Sequence, residues 1–304
     1  MTIQQLEYIT ALDTYRHYVT AAEKCFVTQP TITLQVKKLE DEVGIQIFDR
    51  SKTPLKPTPM GKLIIAKARN VIMEMDQLKE MVNGERENLK GTFKIGVIPT
   101  VSPYLIPQFL GGFMQKYPDT HLDIEEMRSE EITEAIKKNK IDIGILVTPI
   151  NENSIREISL YNEPFLYYGT DVENKNSVSQ KEIENTKGLW LLSSGHCFGK
   201  QVLNICNYRE KENKVHFRSG SIETLMKMVD EYGGFTLIPE LVSLQTNSAN
   251  TLSFTDPQPI REVSIVVHKG FVKESLINAI RKEILAIVPD SFIKNKHFTK
   301  VKWR

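Results

Sequence analysis

Cysteine is scarce in this chain, three residues in 304. That is too few to staple a secreted domain, and Cys25, Cys197, Cys206 and the scattered histidines lack the close pairing of a structural zinc site. No apolar run approaches the ~20 residues of a membrane span. "MTIQQLEYIT" has no basic start, apolar core or small-residue cleavage site of a secretory signal. The expected compartment is therefore the cytoplasm, where thiols stay reduced and paired cysteines are more often catalytic or sensing than structural. Net charge is only +1, so any footprint for nucleic acid must be local. No metal, cofactor or membrane partner is expected. The length exceeds one average domain and allows two or three.

What is present begins with helical patterns. Ile3, Leu6, Ile9 and Leu12 recur at helical spacing, and "TAAEK" at 20–24 offers Ala21 and Ala22 for close helix contact. In "VTQPTITLQVKKLEDEVG", Thr28 stands where a cap is wanted, Pro30 lies in the first turn, and Gly44 ends the helix. Ile32, Val36 and Leu39 share one face; Thr31, Thr33, Gln35 and Lys38 share the other. The pattern fits a helix-turn-helix, although spacing alone equally describes a solvated surface helix. Gln29 and the outer residues Thr31, Thr33, Gln35 and Lys38 are candidates for base edges, with Arg50, Lys52 and Lys56 for phosphates. "IFDRSKTPLKPTPMG" reads as a hairpin wing, and Cys25 as an inert core thiol.

Thr58-Pro59 opens a long helix with Ile64, Ile65, Ala68, Val71, Ile72, Met75, Leu78 and Val82 on one stripe. Such a stripe between domains is expected to pair with a second copy, packing on the first domain being the alternative. A polar hinge at 83–88 follows. Strand and helix patterns then alternate through "GTFKIGVIPT", "HLDIEEM", "IDIGILV", "EPFLYYG", "LWLLS", "VHFRS", "FTLIPELV" and "EVSIVVHK", which predicts parallel α/β sheets. The tail "SFIKNKHFTKVKWR" carries five Lys or Arg, and its pattern leaves disorder and DNA contact both open.

"SSGHCFGKQVLNIC" places Cys197 in the first turn of a helix after a buried strand, where the helix N-terminus and Lys200 are expected to stabilise its thiolate. If Cys206 shares that helix, nine residues separate the two by a rise of roughly 13 Å. A disulfide tolerates Cα separations only up to about 7 Å. Pairing would then unwind the helix and turn oxidation into a change of shape. The plainer reading, that Cys206 is a helix-core residue and Cys197 incidental, stays open on spacing alone.

Several segments carry a family resemblance. Ala21-Ala22-Glu23, Thr28-Gln29-Pro30 through Leu39-Glu40, Gly44, Phe48, Arg50 and Thr58 to Gly61 closely resemble the winged helix-turn-helix of LysR-type transcriptional regulators. Gly195-His196-Cys197, Gln201, Cys206, His216-Phe217-Arg218, Ser221 and Glu223-Thr224-Leu225 are similar to the peroxide-sensing members of that family, as is "PTVSPYL" from Pro99.

The resemblance implies an α+β chain: a winged helix-turn-helix (1–58), a linker and dimerisation helix with hinge (59–90), and a regulatory redox-sensing domain (91–304). The last comprises two α/β subdomains of periplasmic-binding-protein type, I at about 91–161 and 263–304 and II at about 162–262. It further implies that Cys197 is the peroxidatic and Cys206 the resolving thiol, with Thr100, His196, Ser129 and Arg261 around peroxide and sulfur. Ser129 stands where the family usually has threonine, and Lys200 where it commonly has aspartate. The implied partners are promoter DNA, further copies of the chain up to a tetramer, hydrogen peroxide as signal, and RNA polymerase. A regulator responding to a small organic effector and a thiol peroxidase-like enzyme are the competing readings; the latter leaves the winged domain unexplained.

Overall fold

The computed structural model describes all residues except 84–88, 173–174, 193–196, 207–219, 247–249, 256, 295–297 and 302–304. Residues 1–87 form one compact unit and 88–304 a second, apart from the short segments 138–140 and 270–274, which group with the first. The hinge expected at 83–88 lies, from residue 84 on, outside the described residues.

In the first unit α1 (Ile3–Tyr15) is capped by Thr2, whose hydroxyl accepts from Gln5 N–H while the Gln5 side chain accepts from Thr2 N–H. α2 (Tyr18–Lys24) and α3 (Gln29–Val43) follow, then a two-stranded antiparallel wing, β1 (Phe48–Asp49) with β2 (Lys56–Pro57). Ile9, Leu12, Ala21, Ile32, Val36 and Leu39 meet in one core, as their spacing predicts. Thr28 precedes α3 but caps no backbone N–H; its hydroxyl pairs with that of Thr31 at 2.8 Å.

Two motif residues owe their place to the wing. Buried Glu40 accepts from Ile47 N–H at 2.8 Å, Phe48 N–H at 3.2 Å and Arg50 Nη2 at 2.7 Å, fastening the wing to α3. Thr58 donates to Gln46 O at 2.8 Å and accepts from Gly61 N–H at 2.9 Å, starting α4 (Pro59–Asn83). A Cβ at residue 61 would sit 2.0 Å from Ile47 O, so only glycine lets α4 approach the wing this closely.

The stripe on α4 is divided, contrary to its reading as one continuous pairing surface. Ile65 and Ala68 are buried in the winged unit's own core, Ile64 and Ile72 pack partly against it, and Arg69 Nη2 bonds Asp13 on α1 at 2.6 Å. Only Val71 and Leu78 stay exposed among its described side chains, and Val82 lies outside them. The first three turns of α4 have a core to enter after all.

Phe26, in the turn of the helix-turn-helix, is 95% exposed and holds φ 55°. A side chain other than Gly, Asn or Asp in that region costs about 1–2 kcal/mol. Phe26→Asn is expected to stabilise the unit by about 1 kcal/mol, read as a higher Tm, because no buried contact is lost.

The second unit runs β3 (Gly91–Val97), α5 (Ser102–Lys116), β4 (Thr120–Glu126), α6 (Ser129–Lys137), β5 (Ile143–Thr148), β6 (Ile155–Gly169), β7 (Ser177–Val178), α7 (Gln180–Asn185), α8 (Cys197–Cys206) and α9 (Ile222–Tyr232). It closes with β8 (Phe235–Pro239), α10 (Glu240–Thr246), β9 (Thr251–Phe254), β10 (Gln258–His268), α11 (Glu274–Ile287), α12 (Asp290–Lys294) and β11 (Phe298–Lys300). The central strand order is β4-β3-β5-β10-β6-β9-β7.

Parallel pairing holds for β3 with β4 and β5, but β10 is antiparallel to both β5 and β6, and β6 to β8 and β9. The sheet is mixed rather than parallel because β6 and β10 are long return strands, with no helix folding each back beside its predecessor. β6 joins the two halves of the unit: it pairs with β10 from Ile155 to Pro164 and with β8 and β9 from Phe165 to Gly169. A bulge interrupts the β6–β10 register between Val263 and Ser264.

"LWLLS" forms no strand of two or more described residues: Leu189 makes an isolated bridge to Phe235, and "VHFRS" lies outside the described residues. In the basic tail β11 adds to β10, and the buried Phe292 ring packs tilted against Tyr161 with centroids 6.0 Å apart. Among the described residues no helix is long and apolar enough to cross a membrane.

Candidate functional site

Two sites carry chemistry, one in each unit. In the winged unit α3 turns Gln29, Lys37 and Lys38 to solvent, while Thr31, Thr33 and Gln35 are half-buried. Thr33 donates to Gln29 O at 2.9 Å, and Gln35 accepts from Gln5 Nε2 at 3.2 Å. Opposite the core stripe the helix also presents Leu34, 53% exposed, which a reading of the outer face as polar passes over. On the wing Lys52 and Lys56 are exposed, and Arg50 is tied to Glu40.

The second site gathers at strand ends and helix starts. Thr100 follows β3, Ser129 opens α6 after β4, and Cys197 opens α8. Ligands in α/β folds sit at such C-terminal strand ends. Arg261 on β10 is fully enclosed and holds the site together. Its Nη1 donates to Thr100 Oγ1 at 3.0 Å, Nη2 to Thr100 O at 2.9 Å, and Nε to Glu163 Oε2 at 2.8 Å. Its guanidinium lies 5.6 Å from the centre of the Phe198 ring.

Glu163, opposite Arg261 on β6, is wholly buried and also accepts from Leu241 N–H at 3.1 Å. No motif singles it out; an acidic residue inside the apolar strand "EPFLYYG" is the one signal for it. His196, expected beside the sulfur, lies outside the described residues.

Ser129 faces the Cys197 sulfur closely enough to favour its thiolate, yet its Oγ makes no well-formed hydrogen bond among the described residues. The same is true of both amide atoms of Gln201, which is fully buried one turn on from Cys197 along the same side of α8. Buried polar atoms without partners are rare and mark a place for a small polar molecule.

The expected stabilisation of the Cys197 thiolate is corrected here. Burial dominates and pushes the thiol up; Ser129, Arg261 and the Phe198 N–H pull it down, and Glu130 adds to the rise. Lys200 is exposed, and the cation acting on the sulfur is Arg261. Lys200→Asp is therefore expected to change the oxidation rate of Cys197 by less than about twofold, since exposed charges are screened. A stopped-flow comparison of the two proteins checks this.

Both cysteines are buried free thiols at opposite ends of the ten-residue α8. Their helical separation, roughly 13 Å along the axis, forbids a bond while α8 persists. Burial, with the charge of Glu184, pushes Cys206 up to about 12. Gln180 on α7 donates to Ile205 O at 2.6 Å, and Phe198, Val202 and Ile205 anchor the helix core. Cys25 is only half-buried, with its thiol raised mainly by burial. Among the described residues no group of three or more His, Cys, Asp or Glu side chains is placed to hold a metal ion.

A winged helix-turn-helix joined to a two-lobed α/β unit defines a class of bacterial regulator, and the chain belongs to the LysR family. The model of the bacterial regulatory helix-turn-helix protein, lysR family, matches residues 3–62, and that of the LysR substrate binding domain residues 86–287. Within the family the chain is similar to OxyR. It is 32% identical to the DNA-binding transcriptional dual regulator OxyR of Escherichia coli K12, over 97% of this chain and 98% of that one. It is 31% identical to the hydrogen peroxide-inducible genes activator of Haemophilus influenzae, over 95% and 99%. A solved cysteine-to-aspartate variant of full-length OxyR from Pseudomonas aeruginosa superposes with a TM-score of 0.81 at 31% identity, covering 93% of this chain and 94% of that one.

Proposed function

We propose that this regulator binds promoter DNA through α3 and the wing and senses hydrogen peroxide through Cys197 and Cys206. The observation that carries the reading is the enclosed group around Cys197: its sulfur beside Ser129, the Arg261–Thr100 pair, and unpartnered polar atoms on Ser129 and Gln201. Peroxide, with two donors and acceptors on both oxygens, suits that group. Thr100, Ser129 and Gln201 would orient it, joined by His196.

Arg261 favours the thiolate that attacks. One peroxide oxygen bonds to sulfur, the O–O bond breaks, and hydroxide leaves; the sulfur loses two electrons and becomes a sulfenic acid. The Cys206 thiol, giving up its proton as it attacks, then displaces the sulfenic hydroxide from that sulfur. The S–O bond breaks, the S–S bond forms, and the hydroxide leaves as water with that proton. Because α8 holds the two apart, the bond forms only as α8 unwinds, and the regulatory unit changes shape.

The chain would act stoichiometrically as a cytoplasmic sensor rather than as an enzyme. Val71 and Leu78, exposed on α4, would pair with a second copy, two such dimers giving a tetramer that engages RNA polymerase. The functional division is 1–58 for DNA, 59–90 for linkage, and 91–304 for sensing, with subdomain II at about 162–262.

The test is one equivalent of hydrogen peroxide on reduced protein, followed by non-reducing peptide mapping. A rapid Cys197–Cys206 bond with Cys25 free is expected. Two thiols still reduced would overturn the peroxide reading while leaving DNA binding in place.

A further inference from the structure

Leu34 is the large apolar residue of α3 that lies opposite its core stripe. At about 100° per residue it lies roughly 180° round the helix from the stripe of Ile32, Val36 and Leu39. More than half of its surface, 53%, is in contact with solvent. A leucine so placed is no part of the buried core cluster and leaves apolar area in water, which is unfavourable. On either side of it on the same face stand the exposed Lys37 and Lys38, placed for the phosphates that border a groove. Asp41 is exposed on that face too, but towards the C-terminal end, away from the N-terminal residues by which recognition helices meet base edges.

We propose that Leu34 is a specificity-determining residue that reads the 5-methyl group of a thymine in the major groove. The proposal rests on the DNA-binding reading of α3 and deepens it. Leucine has no donor or acceptor, and the apolar group a base pair presents in the major groove is the thymine methyl. The Thr33 hydroxyl proton and the Gln35 amide oxygen already have partners inside the unit, so the centre of the face discriminates by shape and apolar contact. Between two lysines, a leucine selects thymine over cytosine at one position of each half-site.

The test uses the full-length protein to enrich duplexes from a randomised library. The preferred duplex is then resynthesised with deoxyuridine for thymidine at one position at a time, which removes only the methyl. Wild-type protein is expected to lose about fourfold in affinity at one position per half-site, the value of burying one carbon. Leu34→Ala is expected to bind the thymine and uracil duplexes equally at that position. Its melting temperature, unchanged because Leu34 makes no core contact, verifies folding. The proposal is overturned if no uracil weakens wild-type binding, or if wild type and Leu34→Ala lose the same factor at every position. A library yielding no enriched sequence overturns the DNA-binding reading, and this proposal with it.

Discussion

Glu163→Gln is expected to lower the stability of the regulatory unit by about 3–5 kcal/mol, the usual cost of stranding a buried charge, while making Cys197 more reactive at neutral pH. Glu163 and Arg261 are both enclosed, and the carboxylate takes the Arg261 Nε–H at 2.8 Å together with the Leu241 N–H. Burial pushes the Glu163 carboxyl up, and Arg261 opposes that rise. With glutamine in its place the guanidinium keeps Thr100 but loses its counter-charge, so more of its field falls on the Cys197 sulfur, whose thiolate it already favours. Urea denaturation reads the first effect; the pH dependence of alkylation at Cys197, followed by peptide mass, reads the second as a lower apparent pKa. Adding Arg261→Met to Glu163→Gln should recover part of the lost stability, since it removes the stranded buried charge. A Glu163→Gln protein as stable as wild type would refute the pairing.

The second large effect is alkaline. Cys206 is held at about 12 in the folded chain, against about 8.5 for a free cysteine. Below the lower value both states are protonated, and the thiol has no pH-dependent effect. Above it the unfolded chain releases a proton that the folded chain retains, so the unfolded state is favoured. Stability falls by about 1.4 kcal/mol per pH unit until the folded group also titrates near 12. The difference in unfolding free energy between wild type and Cys206→Ala isolates this slope, because Cys197 and the lysines titrate in both proteins. The cavity left by alanine adds only a constant. A difference that does not change from pH 8 to pH 11 would show that Cys206 is not shielded as described. At neutral pH the same shielding keeps Cys206 a thiol, so attack on a Cys197 sulfenic acid waits for α8 to open.

Much of the winged unit was legible, because its signals are local. Period-3.6 spacing set α1 and α3, Gly44 ended α3, and Thr58 with Gly61 opened α4 against the wing. The start of a helix at Cys197 was legible for the same reason, from a turn signal; that Cys206 ends the same helix stood only as a condition until the structure placed it there.

Only the tertiary structure decided what depends on neighbours distant in sequence. Helix position argues for a low Cys197 pKa, but burial reverses the sign, and burial is a property of the packed unit. Arg261, not Lys200, supplies the charge at the sulfur, and Glu163 fixes Arg261 from 98 positions away. The α4 stripe is continuous as a pattern, yet half of it enters the winged core, because periodicity defines a face without saying which surface covers it. Parallel and antiparallel sheets share the same alternation along a strand, so the return paths of β6 and β10 could be settled only by their partners.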